Sequence, residues 1–546
     1  MTARGSKFDR LAVLLIAGLG VVLFLVWWNF PFYKSFSQGD PYLDANQYLP
    51  GRNFAERGFF REYLLAEYAT GPEEAYPLWY THNPPFSEIL SGVYYRLGME
   101  DISQQRVAAI LWNLLAAWFF YLLVKQLATP RAAVFSLAVY ISNPVYIAWG
   151  DNLFVNHQWA FAFMAIYFFL RSADRRPQDH CEDPERSQGL PLGHCEDPER
   201  SEGDEAISGE VGIASAWRPR NDRTGGEGTG RPRAFTALSA VFFFLLCYSN
   251  YEYVPFVALF FIGTKLLKLR EVPWSRIGLL LGAGAAAVLL HQLCVIRAVG
   301  MDFWILDKAE SLLHRTGLGI TPLMEIYRQA PILMWEEQTL LHGSYSLTSF
   351  WKNFYCHLEN FFGWGWGPTL AAAVIFGRYL LPDGGPGRKK IRRTILLFFG
   401  AAVFWFVVFV QHTADHQWGS TILLFAPFAA FLCGAVLAGL YENFLRQQKA
   451  SLRTTGTILI ILLLGALIGG RIRIYRPFRS YPGIKTLEKY RGASFFSTSI
   501  PTLVSAITGT PTGWMAGRHP AQMNFRARFL VNPNCKLRFK PKFFFS

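Results

Sequence analysis

The sequence predicts an all-α polytopic membrane protein of about eleven transmembrane helices, with a helical first extracytoplasmic loop and a small C-terminal tail. Three observations predict it. Apolar runs recur along the chain, and the first, residues 11–30, has the roughly 20 residues that cross a hydrocarbon core. Only 17% of the 546 residues are charged, whereas 51% are hydrophobic and 16% aromatic, which suits lipid better than water. Lys and Arg gather at alternate ends of the runs, as the positive-inside asymmetry requires.

The elements follow in order. Arg4, Lys7 and Arg10 precede the first run, which lacks a short core with a small-residue cleavage site and so reads as a retained anchor with a cytoplasmic N-terminus. Residues 107–124 return to Lys125 and Arg131, residues 132–149 lead out to Gly150-Asp151-Asn152, and residues 154–170 re-enter toward Arg171, Arg175 and Arg176. In residues 171–234 the decapeptide HCEDPERSQG recurs as HCEDPERSEG, and 14 acidic residues stand against 10 basic ones. With no apolar face, this insert is expected to be a disordered cytoplasmic loop, and its His, Cys and acids lack the local spacing of a metal site.

Spans at 235–248 and 254–267 flank a short outer turn, and a third at 277–296 enters an outer loop, residues 297–365, which carries Lys308, His314, Arg315 and Arg328. A run near 367–381 then re-enters, and Arg388, Lys389, Lys390, Arg392 and Arg393 beyond it make the strongest inside signal. Further runs at 394–410, 422–440 and 456–470 leave residues 471–546 as an extracytoplasmic tail. In that tail residues 494–509 suit one or two strands or a short helix, and the closing CKLRFKPKFFFS is atypical for a domain end. The units are thus a transmembrane module over 1–170, the insert over 171–234, a second transmembrane module over 235–470, and the tail.

Composition also excludes classes. The net charge of +14 is accounted for by topology-setting loops and comes without a nucleic-acid motif, so no nucleic-acid partner is expected. Seven cysteines without a CxxC pair support neither a zinc site nor a disulfide framework.

Residues 39–98 form a longer and more polar loop than a connector needs. Asp40-Pro41 has the form of a helix start, with Asp40 as cap. On that helix Asp44 and Tyr48 fall at i and i+4, and Arg52 follows just past Pro50-Gly51, the expected end. A second short helix is expected after Asn83, with Pro84 and Pro85 in its first turn and Phe86, Leu90, Val93 and Leu97 on one apolar face. At about fourteen residues it is too short to span and lies along the membrane interface.

Asp44, Tyr48, Gly58, His82, Pro84, Pro85, Leu97 and Gly98 together resemble the first extracytoplasmic loop of the GT-C glycosyltransferases, in the branch of the protein O-mannosyltransferases and the aminoarabinose transferases of lipid A. One departure stands: the usual pattern sets His or Lys directly against Pro-Pro-Leu, and here the order is His82-Asn83-Pro84-Pro85-Phe86. The resemblance implies a plasma (inner) membrane enzyme, multi-pass, with an extracytoplasmic active site. It would move a sugar from a polyprenyl-phosphate donor to a hydroxyl of a lipid, glycan or protein acceptor. Such transfer needs a carboxylate for the nucleophile's proton and cations or a metal for the departing phosphate.

The resemblance gives Asp44 the role of general base. Asp151 takes the second acidic position, with Asn156 and His157 as alternatives for the same place. Tyr48, Arg52, Arg57, His82 and His416 are the candidate substrate contacts, with Arg61 nearby. No metal ligand is named, and a divalent metal stays open as a cofactor. Read without the resemblance, Asp44 is a helix-start charge answering the dipole, the arginines anchor to lipid phosphates, and His412 and His416 are interfacial. The competing functional classes are a transporter or flippase of lipid-linked sugars, and a cell-envelope polymerase or ligase with a large late loop.

Overall fold

The computed structural model describes residues 3–29, 41–67 except 62, 79–173, 230–316, 386–408 and 422–445. It also describes residues 348, 351, 450–451, 453–458 and 461–462, and four strands in the tail. Helices dominate. Among the described residues, three are long and apolar enough to cross a membrane, within α1 (Ala3–Asn29), α4 (Ile102–Leu127) and α10 (Trp274–Val299). Shorter apolar stretches lie in α5 (Pro130–Ile141), α8 (Gly230–Cys247), α9 (Val254–Leu266) and α13 (Ile422–Leu440). The expected total of about eleven spans rests partly on residues outside the described ones.

The run at 132–149 is two helices rather than one, α5 and the short α6 (Pro144–Ala148). Asn143-Pro144 breaks it, because the residue before proline is pushed away from helical geometry, and the Asn143 side chain accepts the Tyr146 amide at 3.3 Å to start the new turn. The helix α7 (Asn156–Ser172) lies at the centre, packed between α4 and α8. Around it Trp149, Trp159, Tyr140, Phe120 and Phe163 are almost fully buried. The outer helices reverse the pattern of a water-soluble bundle: Leu14 and Trp28 on α1 are each 67% exposed, as suits side chains that meet lipid.

Side chains at the helix ends report which ends lie together. Lys125 and Tyr121 of α4 meet Asp9 of α1, Arg131 of α5 meets Glu442 just beyond α13, and Lys390 of α12 (Pro386–Val408) donates to the Gln126 carbonyl at 2.7 Å. Nearby helix ends are closed in the same way, as Arg276 donates to the Ser172 carbonyl at 2.6 Å. The cations that mark one side in the sequence thus cap the C-terminal carbonyls of α4 and α7, where a positive charge is favoured.

The opposite end carries the first loop. The helix α2 (Pro41–Arg57) continues straight through Pro50 and stops at Gly58, whose φ of +104° closes it. The expected end at Pro50-Gly51 is therefore corrected. Proline removes one backbone donor, but Gly51 lets the next helix, α3 (Phe86–Arg96), approach so closely that a Cβ on Gly51 would lie 2.5 Å from Ser91 Oγ and 2.8 Å from the Gly92 amide. That contact buries Ser87, Glu88, Ser91 and Gly92. The expected apolar face is not the buried one: Val93 and Leu97 are 40% and 72% exposed, pointing away from the bundle as an interfacial helix requires.

Between α2 and α3 a two-stranded antiparallel hairpin pairs β1 (Ala66–Glu67) with β2 (Trp79–Tyr80). In the tail, β3 (Phe495–Ser497) pairs in parallel with β4 (Thr512–Trp514) and β5 (Phe529–Val531), and β6 (Leu537–Phe539) runs antiparallel to β5. The described residues are mostly helical, as expected, with these two small sheets added; β3 falls where a strand was allowed, and the closing stretch of the chain supplies the edge strand β6. Most of the insert at 171–234, most of the loop at 297–365, and Asp40, His412 and His416 lie outside the described residues.

Candidate active site

Asp44 lies in the first turn of α2, where a carboxylate answers the free amides and the positive end of the helix. It does not stay a local cap. Its Oδ1 accepts the Leu153 amide at 2.8 Å, across more than a hundred residues of chain, and its Oδ2 lies 3.5 Å from Arg106 Nε. Arg106 also donates through its terminal nitrogen to Asp151. Two carboxylates and one guanidinium are thus joined at the end of α4, each no more than 2% exposed. With both carboxylates ionised the cluster bears one net negative charge.

The neighbouring polar residues fix the backbone that presents Asp151. Asn152 accepts the amides of Phe154 and Val155, and Asn156 donates to the carbonyls of Trp149 and Asn152 and accepts from Asn113. His157 pairs with Ser87 of α3 at 3.0 Å. Asn156 and His157 therefore build the turn and its contact with α3, whereas Asp151 faces Arg106.

The cation beside Asp44 is Arg106, not Arg52. Eight residues along α2 carry Arg52 about 12 Å up the helix axis, where it makes an exposed i,i+4 pair with Glu56 at 2.7 Å. Arg57 is turned to Glu67 of the hairpin, and Asn53 donates to the Glu67 carbonyl at 3.0 Å. Tyr48 donates to the Glu100 carbonyl at 2.6 Å; burial pushes its phenol up to about 12, against the pull of Arg52. Tyr48 and Arg57 hold α2 to its surroundings, and Arg52 pairs within the helix.

His82 belongs to a second buried cluster. Its Nε2 lies 3.0 Å from Asp307 Oδ1 on α11 (Met301–Thr316), an oxygen that also accepts from Thr81 Oγ1 at 2.8 Å. Lys308 reaches Asp307 Oδ2 at 2.8 Å and the Thr81 carbonyl at 2.9 Å. Burial pushes the Asp307 carboxyl up, but His82 and Lys308 outweigh it and hold it well below the usual carboxylate range. The two clusters are connected through the hairpin, which α2 grips at Glu67 and α11 grips at Thr81 and His82.

Sequence reasoning missed Arg106 and Asp307. Arg106 had a signal: it is a lone cation at the end of a span that the charge asymmetry assigns to the outside, where a basic residue needs a reason. Asp307 had none, because Thr81 and His82, which it meets, are more than two hundred residues away. Among the described residues no group of three or more His, Cys, Asp or Glu is placed to hold a metal ion. At the first cluster only two acids converge, and both are turned to Arg106, so the donor set does not fit a divalent metal.

A multi-span helical protein with an arginine-bridged pair of carboxylates where its first loop meets the spans is the class that fold and site define. Residues 82–180 match the family model of dolichyl-phosphate-mannose-protein mannosyltransferases, a match that begins at His82 and includes Arg106 and Asp151. The resemblance to the GT-C glycosyltransferases is thereby borne out over that segment.

Among solved structures, the ArnT protein of Cupriavidus metallidurans bound to undecaprenyl phosphate is similar at 12% identity and a TM-score of 0.49, over 92% of this chain and 85% of that one. The archaeal oligosaccharyltransferase AglB of Archaeoglobus fulgidus, in complex with an inhibitory peptide and a dolichol-phosphate, is similar at 13% identity and a TM-score of 0.45. That likeness takes in 94% of this chain, which spans 65% of the archaeal protein's length. No curated protein matches the chain by sequence.

Proposed function

We propose that this protein is an integral-membrane glycosyltransferase that moves a sugar from a polyprenyl-phosphate donor to a hydroxyl acceptor on a lipid, glycan or protein, at the outer face of the plasma membrane. The observation that carries the reading is the Asp44–Arg106–Asp151 cluster at the loop end of α4. The family match over residues 82–180 supports it. On this reading residues 1–170 are the catalytic module, and residues 235–470 complete the membrane body.

Asp44 acts as the base. It takes the acceptor's hydroxyl proton as that oxygen bonds to the sugar's anomeric carbon, and the bond from that carbon to the phosphate oxygen breaks to release polyprenyl phosphate. Arg106 orients both carboxylates, and Asp151 holds Arg106 in place, so that the surplus negative charge of the cluster remains available to the proton. His82 and Lys308 supply positive charge that binds the donor's phosphate. The donor's apolar tail stays in lipid while its head group reaches the loop, which is why the base belongs at a span's end.

The test is transfer of labelled sugar from polyprenyl-phosphate donors into cell-envelope extract by the purified protein, comparing wild type with Asp44→Asn. Transfer lost in the variant supports the reading, and transfer that survives unchanged removes Asp44 from the mechanism. Movement of labelled lipid across vesicles without transfer would replace the enzyme by a flippase.

A further inference from the structure

We infer that Asp307 is a positioning residue for the transfer reaction: from the second large loop it fixes His82 of the first loop and keeps its ring charged, so that the donor phosphate meets a preset cation. The inference rests on the function proposed above. It adds a residue that the first loop cannot supply itself.

The geometry carries it. Asp307 is fully buried, and a buried carboxylate persists only where donors and cations surround it. Here Thr81 and His82 converge on one oxygen and Lys308 on the other. One His82 nitrogen is thus committed to Asp307, and the ring is stacked on Tyr80 at 5.6 Å and 16°, which sets its plane. A carboxylate bonded to one imidazole nitrogen fixes the ring's orientation and stabilises the imidazolium.

The charged and titratable groups that face His82 come from three directions. Asp307 and Lys308 come from α11, Tyr80 comes from the hairpin, and His291 comes from α10, with its Nδ1 bonded to Tyr251 at 2.6 Å. Lys308 opposes a charge on His82, and Asp307 favours it from hydrogen-bond distance. Lys308 is also braced on the Thr81 carbonyl, so that two cations share one acid and leave one net positive charge.

The experiment uses the full-length protein in detergent or nanodiscs and a polyprenyl-phosphate sugar that the wild type transfers. Donor KM and kcat are measured between pH 5.5 and pH 9 for wild type, Asp307→Asn and Lys308→Gln. In wild type the donor KM rises as pH climbs through the His82 titration. Asp307→Asn moves that rise to lower pH by about one unit and raises KM near neutrality roughly tenfold, with kcat within about twofold. Lys308→Gln moves the rise the other way.

A KM profile for Asp307→Asn that superimposes on wild type, or a fall in kcat with KM unchanged, overturns the inference. Should Asp307→Asn not fold, Lys308→Gln decides by the direction of its shift, and no shift overturns the inference. Histidine-labelled protein read by NMR, with His82→Gln for assignment, gives a test independent of activity: a His82 titration that Asp307→Asn leaves in place overturns the inference. If the wild type transfers no sugar from any polyprenyl-phosphate donor, the proposed function fails instead, and the His82 titration still decides the coupling.

Discussion

Replacing Arg106 by Gln removes the cation between Asp44 and Asp151 while keeping a side chain of similar reach. Arg106, Asp44 and Asp151 are 1%, 2% and 1% exposed, so solvent cannot take over the pairing. Breaking a buried ion pair from one side costs about 3–5 kcal/mol, because the partner charges are left uncompensated. For 546 residues, at an unfolding entropy of about 2.1 cal/mol/K per residue and hence roughly 1 °C per kcal/mol, the midpoint should fall by about 3–5 °C.

The loss should also depend on pH. Two facing carboxylates repel, and protonating one relieves them, so the deficit of Arg106→Gln relative to wild type shrinks as pH falls from 8 toward 5. Asp44→Asn behaves differently: it leaves Arg106 and Asp151 as a neutral pair, and the Asn oxygen still accepts the Leu153 amide. Its stability should stay within about 1 kcal/mol of wild type, and Arg106→Gln should cost less in that background. Thermal unfolding in detergent, followed by tryptophan fluorescence at pH 5, 6, 7 and 8, measures all three variants. A midpoint shift under about 1 °C for Arg106→Gln, or a deficit that is the same at every pH, would refute the account of the cluster as a cation bridging two buried acids.

The remaining predictions concern the first loop. Arg57→Gln should destabilise by about 3 kcal/mol because it breaks an ion pair to the buried Glu67, whereas Arg52→Gln should cost under about 1 kcal/mol because its pair with Glu56 is exposed; chemical denaturation of the two variants side by side checks the contrast. Gly51→Ala and Gly92→Ala should each cost about 1–3 kcal/mol, since a Cβ at either position meets the backbone of the facing helix, 2.8 Å away for Gly51 and 2.7 Å for Gly92; the midpoint of thermal unfolding reads it. Tyr48 is pushed up to about 12 chiefly by burial. Its folded value lies above its unfolded one, so the stability it gives is complete below about pH 10 and is lost between about pH 10 and 12. Tyr48→Phe should remove that part of the alkaline loss, as midpoints measured from pH 9 to 12 will show.

Much of the architecture is legible without coordinates because the bilayer imposes it. A run of apolar residues has to be a helix in lipid, since its backbone can find partners nowhere else, and the cations at 125, 131, 276 and 390 announce which ends share a side. The match of the first loop to the GT-C pattern was equally local, since it rests on residues within a single stretch of chain. Pro50 misled the reading because the cost of one missing helix bond is visible in the sequence, whereas the Gly51–Gly92 contact that accompanies the continued helix is not. The small sheets of the loop and tail were missed or left open because strands of two or three residues have too little periodicity to register.

What the sequence determined by itself is a helical membrane body with cations at alternating ends; the resemblance it carries offered Asp44 as an acid of the candidate site, and Asp151 beside the alternatives Asn156 and His157. What only the tertiary structure decided is the company they keep. Arg106 joins the two acids, and Asp307 holds His82 from more than two hundred residues away. The reason is physical: a charge removed from water must find its counter-charge in space, and helix packing brings together partners that no spacing along the chain records.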